Sequence, residues 1–286
     1  MLITDALTSF AADLSTRGKS SNTIVAYKGD INQFIAFLNR LSKPNAVESI
    51  TGADIEAFKK DLLDNNYTSK SVSRKLNSIK NFFSFLKSQN AITSDPSTEI
   101  KQPKYENDAP KILKPLEYRA LRDAARNDLR ATAIVELMLQ AGLRIKEIEN
   151  LRLEDVKDND IFIDSYESHE ARSVPLNNSA RQALRRYIDE ARFESKSKNV
   201  FVTKTGRKLL ARNIRSLLTR YFEKSDISDV KVNDLRNTFI VYQLKAGVPI
   251  DVVSQVVGHK RISTTEKYLE LIDAKEESRG IKLKEL

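Results

Sequence analysis

Prolines interrupt one segment of this 286-residue chain, at positions 96, 103, 110 and 115. Proline lacks a backbone N–H and disfavours a helical conformation in the residue before it, so a segment with these prolines and little apolar periodicity does not continue a helix. We interpret the segment as a linker. Because 40% of the residues are hydrophobic, the regions on both sides are long enough to bury a core. We predict two domains, residues 1–104 and residues 105–286.

The region before the linker shows the apolar spacing of amphipathic helices separated by turn signals. The spacing predicts helices over residues 20–41, 51–66 and 68–89. The second helix begins near Thr51 or Asp54, whose side chains can accept hydrogen bonds from the free N–H groups of a first turn. The first domain is therefore predicted to be an all-α helical bundle.

The third of these helices has the clearest division into two faces. Its polar face carries cations and amides without an acid, at Lys70, Arg74, Asn77, Asn81 and Ser84. Such side chains can reach phosphates or base edges in a groove of duplex DNA. A solvated face without a partner is the alternative interpretation.

The region after the linker mixes helical periodicity with short strand-like segments. Residues 160–166 and 171–176 have a strand pattern and are separated by a short polar loop, and residues 199–210 offer a further strand and a glycine turn. The segments do not alternate as strand, helix and strand. This pattern predicts a mainly helical α+β domain with a small antiparallel sheet.

Composition excludes several classes of site. The chain has no cysteine and two histidines, so a disulfide framework, a thiolate metal site and a histidine-rich zinc site are excluded. A phosphate-binding glycine loop of the GxxxxGK[ST] type is also absent from the sequence. Without a long apolar run or an export signal, we expect a soluble, cytoplasmic protein without a membrane partner. The net charge of +9 favours a polyanionic partner such as nucleic acid.

Cationic and nucleophilic side chains occur in a suggestive order in the second region: Arg144, Arg236, His259 and Tyr268. Two guanidiniums and an imidazole can hold the charge that develops on a phosphodiester under attack. A tyrosine hydroxyl is a weak nucleophile at its free pKa of about 10 and needs nearby cations to react. His259 and Tyr268 as ordinary packing residues remain the alternative.

These segments resemble the tyrosine recombinases, the family of phage-type integrases, Xer-like recombinases and transposon resolvases. Residues 141–151 resemble the first arginine box of the family, and residues 232–271 resemble its second box through to the nucleophile. The N-terminal helices resemble the SAM-like core-binding domain, and residues 170–176 resemble a strand of the family's β-hairpin. Several segments in the family's order make the resemblance specific.

The resemblance implies the chemistry and the roles of the residues. Tyr268 would attack the scissile phosphate to form a 3′-phosphotyrosyl link, with Arg144 and Arg236 binding that phosphate. His259 would donate a hydrogen bond to it, and the acid at Glu147 would support the site. The family needs neither a metal nor another cofactor, and we expect none here.

Two positions depart from the family pattern. Asn233 stands where the second box begins with histidine, and an amide can hold a phosphate but transfers protons poorly. Glu167 aligns with the hairpin lysine that protonates the 5′-hydroxyl leaving group in the family. We predict His169, in the same loop, as the substitute acid. An exposed loop histidine without a role is the alternative interpretation. Lys204 and Lys208 are the other candidates.

Contacts with double-stranded DNA are predicted for residues in both domains: Lys70, Arg74, Asn77, Arg172 and Lys204. Arg172 is assigned to binding because a guanidinium is a poor proton donor. A basic turn such as that at Lys204 is more often a plain phosphate contact than an acid.

The resemblance also implies the assembly. We expect a two-domain clamp on DNA with inverted recognition sites, and a homotetramer on two such sites that is a monomer or dimer when free. Residues 274–286 would be an arm that docks on a neighbouring subunit, unless they are only a charged tail.

Three functions remain open from the sequence. The first is a site-specific recombinase for integration, resolution or dimer resolution. The second is a DNA-binding regulator or accessory subunit with weakened or lost cleavage, which the departures at Asn233 and Glu167 keep open. A metal-dependent nuclease is less favoured, because the acids show no clustered ligand spacing.

Overall fold

The computed structural model describes residues 1–106 and 109–272. The chain divides into two compact units, Met1–Asn107 and Asp108–Leu286, and each has a hydrophobic core of its own. The first unit is built from helices, and the second combines helices with a two-stranded antiparallel sheet. The predicted fold class is thereby confirmed. The units separate within the proline-containing segment that the sequence analysis interprets as a linker.

The N-terminal unit contains four α-helices in its described part: α1 (Ile3–Thr16), α2 (Ser21–Arg40), α3 (Gly52–Asp64) and α4 (Ser69–Ser88). Three of them begin at a hydroxyl side chain that accepts a hydrogen bond from a first-turn N–H, at Ser20, Thr51 and Thr68. Thr51 and Asp54 form a reciprocal capping box. The predicted helices and the predicted start of the second one are confirmed.

The helices of this unit pack around tightly clustered aromatic rings. Phe34 and Phe58 are 5.1 Å apart between ring centroids, and Phe82 and Phe83 are 5.4 Å apart. All four are almost completely buried. Burial of such side chains contributes about 25 cal/mol for each Å² of apolar surface removed from water.

The C-terminal unit contains the remaining described helices: α5 (Pro115–Ala125), α6 (Leu129–Gln140), α7 (Ile145–Asn150), α8 (Asn178–Arg186), α9 (Ala211–Lys224), α10 (Val232–Lys245), α11 (Ile250–Val257) and α12 (Ser263–Glu266). A π-type turn at Tyr187–Ala191 continues α8. Helix α6 is buried on nearly all sides and lies within the core.

The sheet of this unit is a single hairpin. Strands β1 (Asp160–Ile163) and β2 (Arg172–Pro175) pair antiparallel, with Ile161 opposite Val174. Both of these side chains are completely buried, so alternation of apolar residues fixes the register. The connecting loop, residues 164–171, contains Glu167, which aligns with the family's hairpin lysine, and His169, the predicted substitute acid.

The prediction of a further strand in residues 199–210 is wrong. Within the described chain this segment forms two isolated bridges, between Asn199 and Arg152 and between Val202 and Lys208. Its backbone groups are already used, because the guanidinium of Arg192 binds the carbonyls of Val200 and Asn199. The glycine turn is confirmed at Gly206, whose N–H donates to the carbonyl of Thr203 and whose φ is +72°.

None of the described helices is both long and apolar enough to cross a membrane. Across residues 1–106 and 109–272, His, Asp and Glu side chains form no group of three that could hold a metal ion.

Candidate active site

Arg144 joins the start of α7 to the end of α11. It is the N-cap residue of α7, and its backbone N–H donates to Glu147 Oε2 at 2.8 Å. Its guanidinium donates to Glu147 Oε1 at 2.8 Å, to the carbonyl of Val257 at 2.9 Å and to that of Gly258 at 2.8 Å. The side chain is therefore held in one orientation by acceptors from two helices.

Arg236 reaches the same turn from α10. Its Nη2 donates to the carbonyl of Val257 at 2.6 Å, and its Nη1 donates to the carbonyl of Gly142. The residue is 5% exposed. Burial and the nearby charge of Arg144 lower the pKa of Arg236 to about 9. Two guanidiniums thus share one carbonyl acceptor in a site with little water, where their charge acts strongly on an anion.

The turn that both arginines bind depends on a glycine. Gly258 follows α11 with a φ of +66°, a left-handed conformation that glycine adopts without steric cost. A Cβ atom at this position would lie 2.9 Å from the guanidinium of Arg172. Glycine therefore allows both the turn and the close approach of the arginine.

Glu147 is the anionic centre of the site. Arg172 donates to its two oxygens at 2.9 Å each, and the hydroxyl of Tyr166 donates to Oε1 at 3.2 Å. Burial alone would raise the pKa of Glu147, but the hydrogen bond and charge of Arg172, together with Arg144, lower it to about 2. The carboxylate is ionised at neutral pH and holds Arg144 and Arg172 in position.

His259 comes directly after this turn and is neutral at physiological pH. Burial, followed by the charges of Arg236 and Arg144, lowers the pKa of His259 to about 4. Its Nδ1 forms a hydrogen bond with the buried hydroxyl of Thr265 at 2.8 Å. Nε2 is therefore the ring nitrogen left to contact a substrate.

Tyr268 lies against His259, with ring centroids 6.2 Å apart and planes 15° from parallel. Its hydroxyl donates to Asn237 Oδ1 at 2.9 Å, and Asn237 Nδ2 donates to Asp234 Oδ1 at 3.1 Å. Burial raises the pKa of Tyr268, whereas Arg236 and Arg144 lower it. The net effect is a raised pKa, so Tyr268 is a neutral phenol at neutral pH.

His169 lies in the same part of the unit. With Arg172, Gly258, His259 and Lys260 it lines a cleft of about 590 Å³. Its Nδ1 is buried and has no hydrogen-bond partner within the described residues. Burial and the charge of Arg144 lower the pKa of His169. The neutral form is therefore favoured at pH 7.

The remaining predicted site residues of this unit are placed elsewhere. Asn233 is exposed in the first turn of α10, and its side chain makes no hydrogen bond to the other described residues. Lys208 donates to Asn150 Oδ1 at 2.7 Å, and Lys204 is exposed beside a different cleft, with Arg130 and Arg192. Neither lysine lines the cleft of His169.

The prediction that Arg172 lies on the surface that contacts DNA needs a correction. Its side chain is 8% exposed. Its Nε donates to the carbonyl of Val256 at 2.8 Å, and its two other nitrogens bind Glu147. The packing makes Arg172 an internal partner of Glu147.

The predicted DNA contacts of the N-terminal unit share one face. Lys70, Arg74 and Asn77 are all exposed on α4. Arg74 is held by the buried carboxylate of Asp30, with Nη2 2.8 Å from Oδ1. Asn77 Oδ1 accepts a hydrogen bond from Gln102 Nε2 at 2.8 Å. This polar face is therefore oriented by contacts within its own unit.

Four site residues were missed by the sequence reasoning: Tyr166, Asn237, Lys260 and Thr265. Asn237 and Lys260 had a signal, because each directly follows a residue that was singled out, Arg236 and His259. Tyr166 had none, since its contact with Glu147 crosses the hairpin loop. Tyr166, Asn237 and Thr265 each form a hydrogen bond to a predicted site residue or to Glu147, and Lys260 lines the cleft of His169.

Comparison with known proteins gives the family. Residues 105–275 match the phage integrase family, and residues 7–90 match the phage integrase N-terminal SAM-like domain. The chain is 32% identical over 268 residues to the tyrosine recombinase XerC of Roseiflexus castenholzii, covering 89% of this chain and 85% of that protein. It is 29% identical to the tyrosine recombinase XerD of Oceanobacillus iheyensis, covering 91% of each.

Solved structures share the fold. A lambda integrase (75–356) dimer bound to a COC′ core site has a TM-score of 0.77 at 17% identity, covering 100% of this chain and 99% of that one. XerA recombinase has a TM-score of 0.54 at 24% identity, covering 97% and 99%. The family match over most of the C-terminal unit and the similarity to curated recombinases along the chain lead to one conclusion: this protein belongs to the phage integrase family and is a tyrosine recombinase.

Proposed function

We propose that this chain is a site-specific DNA recombinase that cleaves and rejoins duplex DNA through a 3′-phosphotyrosyl intermediate at Tyr268. One observation carries the proposal. Arg144 and Arg236 both donate to the carbonyl of Val257, and the ring of Tyr268 lies against His259 in the segment that follows. Side chains far apart in sequence thus converge around one turn in the combination that phosphodiester chemistry requires.

The arginines supply the electrostatic part of the mechanism. As Tyr268 Oη attacks phosphorus, negative charge builds on the non-bridging oxygens, and fixed guanidiniums in a water-poor site stabilise that charge without reorganisation. Arg144 and Arg236 are already oriented by backbone carbonyls. In the tautomer whose Nδ1 accepts from the hydroxyl of Thr265, neutral His259 adds a hydrogen bond from Nε2.

The reaction conserves the energy of the phosphodiester. The P–O bond to Tyr268 forms while the P–O5′ bond breaks, and attack by a 5′-hydroxyl on the phosphotyrosine reverses the exchange on a partner strand. For the first step, Tyr268 has to leave its hydrogen bond to Asn237 and lose its proton. Burial raises the pKa of Tyr268, and the charges of Arg236 and Arg144 favour this step because they oppose that rise.

The N-terminal unit supports DNA binding through α4. Its exposed face carries Lys70, Arg74 and Asn77, which can contact phosphates and base edges. A lambda integrase tetramer bound to a Holliday junction has a TM-score of 0.76 with this chain. This likeness supports a homotetramer on two inverted sites, formed from monomers or dimers. The predicted docking arm, residues 274–286, lies outside the described residues.

A DNA-binding regulator without cleavage is the second candidate. The observation that favours it is the hairpin loop, residues 164–171, which contains no lysine and presents Glu167 at an exposed position with a φ of +51°. Exposed Asn233 adds to it, since an amide replaces a group that can titrate.

Trapping of the covalent intermediate separates the two candidates. A duplex selected from random sequences by its affinity for the protein is nicked beside the cleavage position, so that the cut strand diffuses away and cannot rejoin. We expect a covalent adduct with the wild-type protein. Tyr268→Phe should abolish the adduct while DNA affinity stays within about threefold, equivalent to about 0.7 kcal/mol. Tight wild-type binding without an adduct would establish the regulator instead.

A further inference from the structure

Cleavage at Tyr268 leaves one chemical requirement unassigned. The departing O5′ needs a proton, and help from a general acid contributes about 10²–10⁴ in rate. A suitable donor must carry a proton at neutral pH and lie beside the site. The following inference rests on the proposed function and concerns the identity of that donor.

The sequence-based candidates for this donor fit poorly. His169 lines the correct cleft, but burial and Arg144 lower its pKa, and a neutral imidazole is a weak acid. Lys208 is bound to Asn150 away from that cleft. Lys204 lies beside another cleft.

Lys260 meets the requirement. It follows His259 directly and lines the same cleft of about 590 Å³ as His169, Arg172 and His259. Its side chain is exposed, and in the part of the chain that the structure describes its ammonium group has neither a hydrogen bond nor an ion pair. A lysine ammonium retains its proton at neutral pH, and its flexible stem can direct Nζ towards a bound group.

Lys260 lies near the hairpin loop, because it lines the same cleft as His169, Glu170 and Ala171 of that loop. Burial is the main cause that lowers the pKa of His169, and the charge of Lys260 adds to it. Lys260 can therefore provide the cation that the loop itself lacks, since the loop carries Glu167 and His169 instead of a lysine. Its neighbour His259 is held by two hydrogen bonds, from its N–H to the carbonyl of Ser254 and between Nδ1 and Thr265, which fixes the backbone from which Lys260 extends.

We propose that Lys260 is the general acid of DNA cleavage in this protein. As the bond between Tyr268 Oη and phosphorus forms and the P–O5′ bond breaks, Lys260 Nζ gives a proton to O5′ and becomes a neutral amine. The phenol proton of Tyr268 passes to water, and water returns a proton to Lys260. One proton leaves and one enters, so the step is balanced without a metal or a further reactant.

A 5′-thio leaving group provides the test, because a thiolate departs without protonation. The rate of adduct formation is measured with an ordinary nicked duplex and with one that carries sulfur in place of O5′. We expect Lys260→Ala to react about 10²–10⁴ times more slowly on the ordinary duplex and within about tenfold of the wild-type rate on the thio duplex. Lys260→Arg should behave like Lys260→Ala, because guanidinium keeps its charge but does not release its proton.

Two controls accompany these variants. Lys245→Ala removes another exposed lysine of the same unit, at the end of α10, and should cleave both duplexes at the wild-type rate. His169→Gln should show no loss that the thio duplex restores. Circular dichroism and DNA affinity establish that each variant is folded and binds.

The outcomes separate this inference from the function on which it rests. Wild-type cleavage of ordinary DNA by Lys260→Ala, full activity of Lys260→Arg, or failure of the thio duplex to restore Lys260→Ala would each overturn the assignment. A thio-reversible loss in His169→Gln alone would transfer the role to His169. A wild-type protein that forms no adduct with either duplex would overturn the proposed function itself.

Discussion

Both units contain a buried carboxylate bound by two cationic side chains and a hydroxyl, yet the two sites differ in what they hold. Asp30 binds Arg74, Lys75 and Ser78, and it joins α2 to α4. Glu147 binds Arg144, Arg172 and Tyr166. Each carboxylate residue is at most 3% exposed.

The difference lies in the exposure of one arginine in each cluster. The side chain of Arg74 is 54% exposed, whereas that of Arg172 is 8% exposed. Solvent screens the first pair, while the second lies in a medium where charges interact strongly. We infer that Asp30 orients a surface that binds DNA, and that Glu147 orients the arginines that act on the scissile phosphate.

Removal of the second carboxylate should have the largest effect. Glu147→Leu leaves Arg172 buried without its partner and releases Arg144, and breaking a buried pair in this way costs about 3–5 kcal/mol. Urea unfolding measures this loss, and adduct formation should fall below detection in the folded fraction. A loss below about 1 kcal/mol would show that the Glu147 site is as well screened as a surface pair.

Acid titration sharpens the same contrast. The pKa of Glu147 is lowered from 4.5 to about 2, so its stabilising contribution is present above pH 4.5 and is lost as the pH falls towards 2. The shift corresponds to about 3 kcal/mol. We expect the difference in free energy of unfolding between wild type and Glu147→Gln to shrink by this amount between pH 6 and about pH 2. A pH-independent difference would contradict the ionised, paired carboxylate.

Removal of the first carboxylate should separate binding from chemistry. Asp30→Ala leaves the largely buried Lys75 without a carboxylate and frees Arg74, at a cost of about 1–3 kcal/mol in unfolding free energy. DNA affinity should weaken, because α4 and its arginine lose their fixed orientation. The rate of adduct formation at saturating DNA should stay at the wild-type value. A fall in that rate comparable to the effect at Glu147 would end the proposed division of roles.

The smallest effect is expected at the exposed end of α4. Lys70 is exposed, so Lys70→Ala should change the free energy of unfolding by less than about 0.5 kcal/mol. If Lys70 neutralises one phosphate, the slope of log K against log salt should decrease in magnitude by about 0.9. Lys245→Ala is the matched exposed lysine outside the proposed surface. An equal change of slope in both variants would remove Lys70 from the interface.

The sequence predicted what local spacing determines. Helix starts such as Thr51 follow from capping side chains, and the two-domain organisation follows from the prolines. The structure brings together four residues that the sequence singles out: Arg144, Arg236, His259 and Tyr268. The two arginines bind the carbonyl of Val257, and the other two lie in the segment that follows it.

The contacts that were not predicted connect distant segments. Arg172 and Glu147 are 25 residues apart, and Arg74 and Asp30 are 44 apart. Such pairs depend on the register of a hairpin or the packing of two helices, which periodicity alone does not determine. For the same reason, local patterns wrongly predict Arg172 at the surface and a strand in residues 199–210. In the structure the guanidinium of Arg192 binds the carbonyls of Val200 and Asn199 in that segment.

The most direct test of the account is the site of covalent attachment. The trapped adduct is digested with trypsin and nuclease, and the peptide that carries the residual phosphonucleotide is sequenced by mass spectrometry. The account predicts one modified residue, Tyr268, and no modified peptide from Tyr268→Phe. Attachment at another residue such as Tyr166, or an undiminished adduct in Tyr268→Phe, would contradict it.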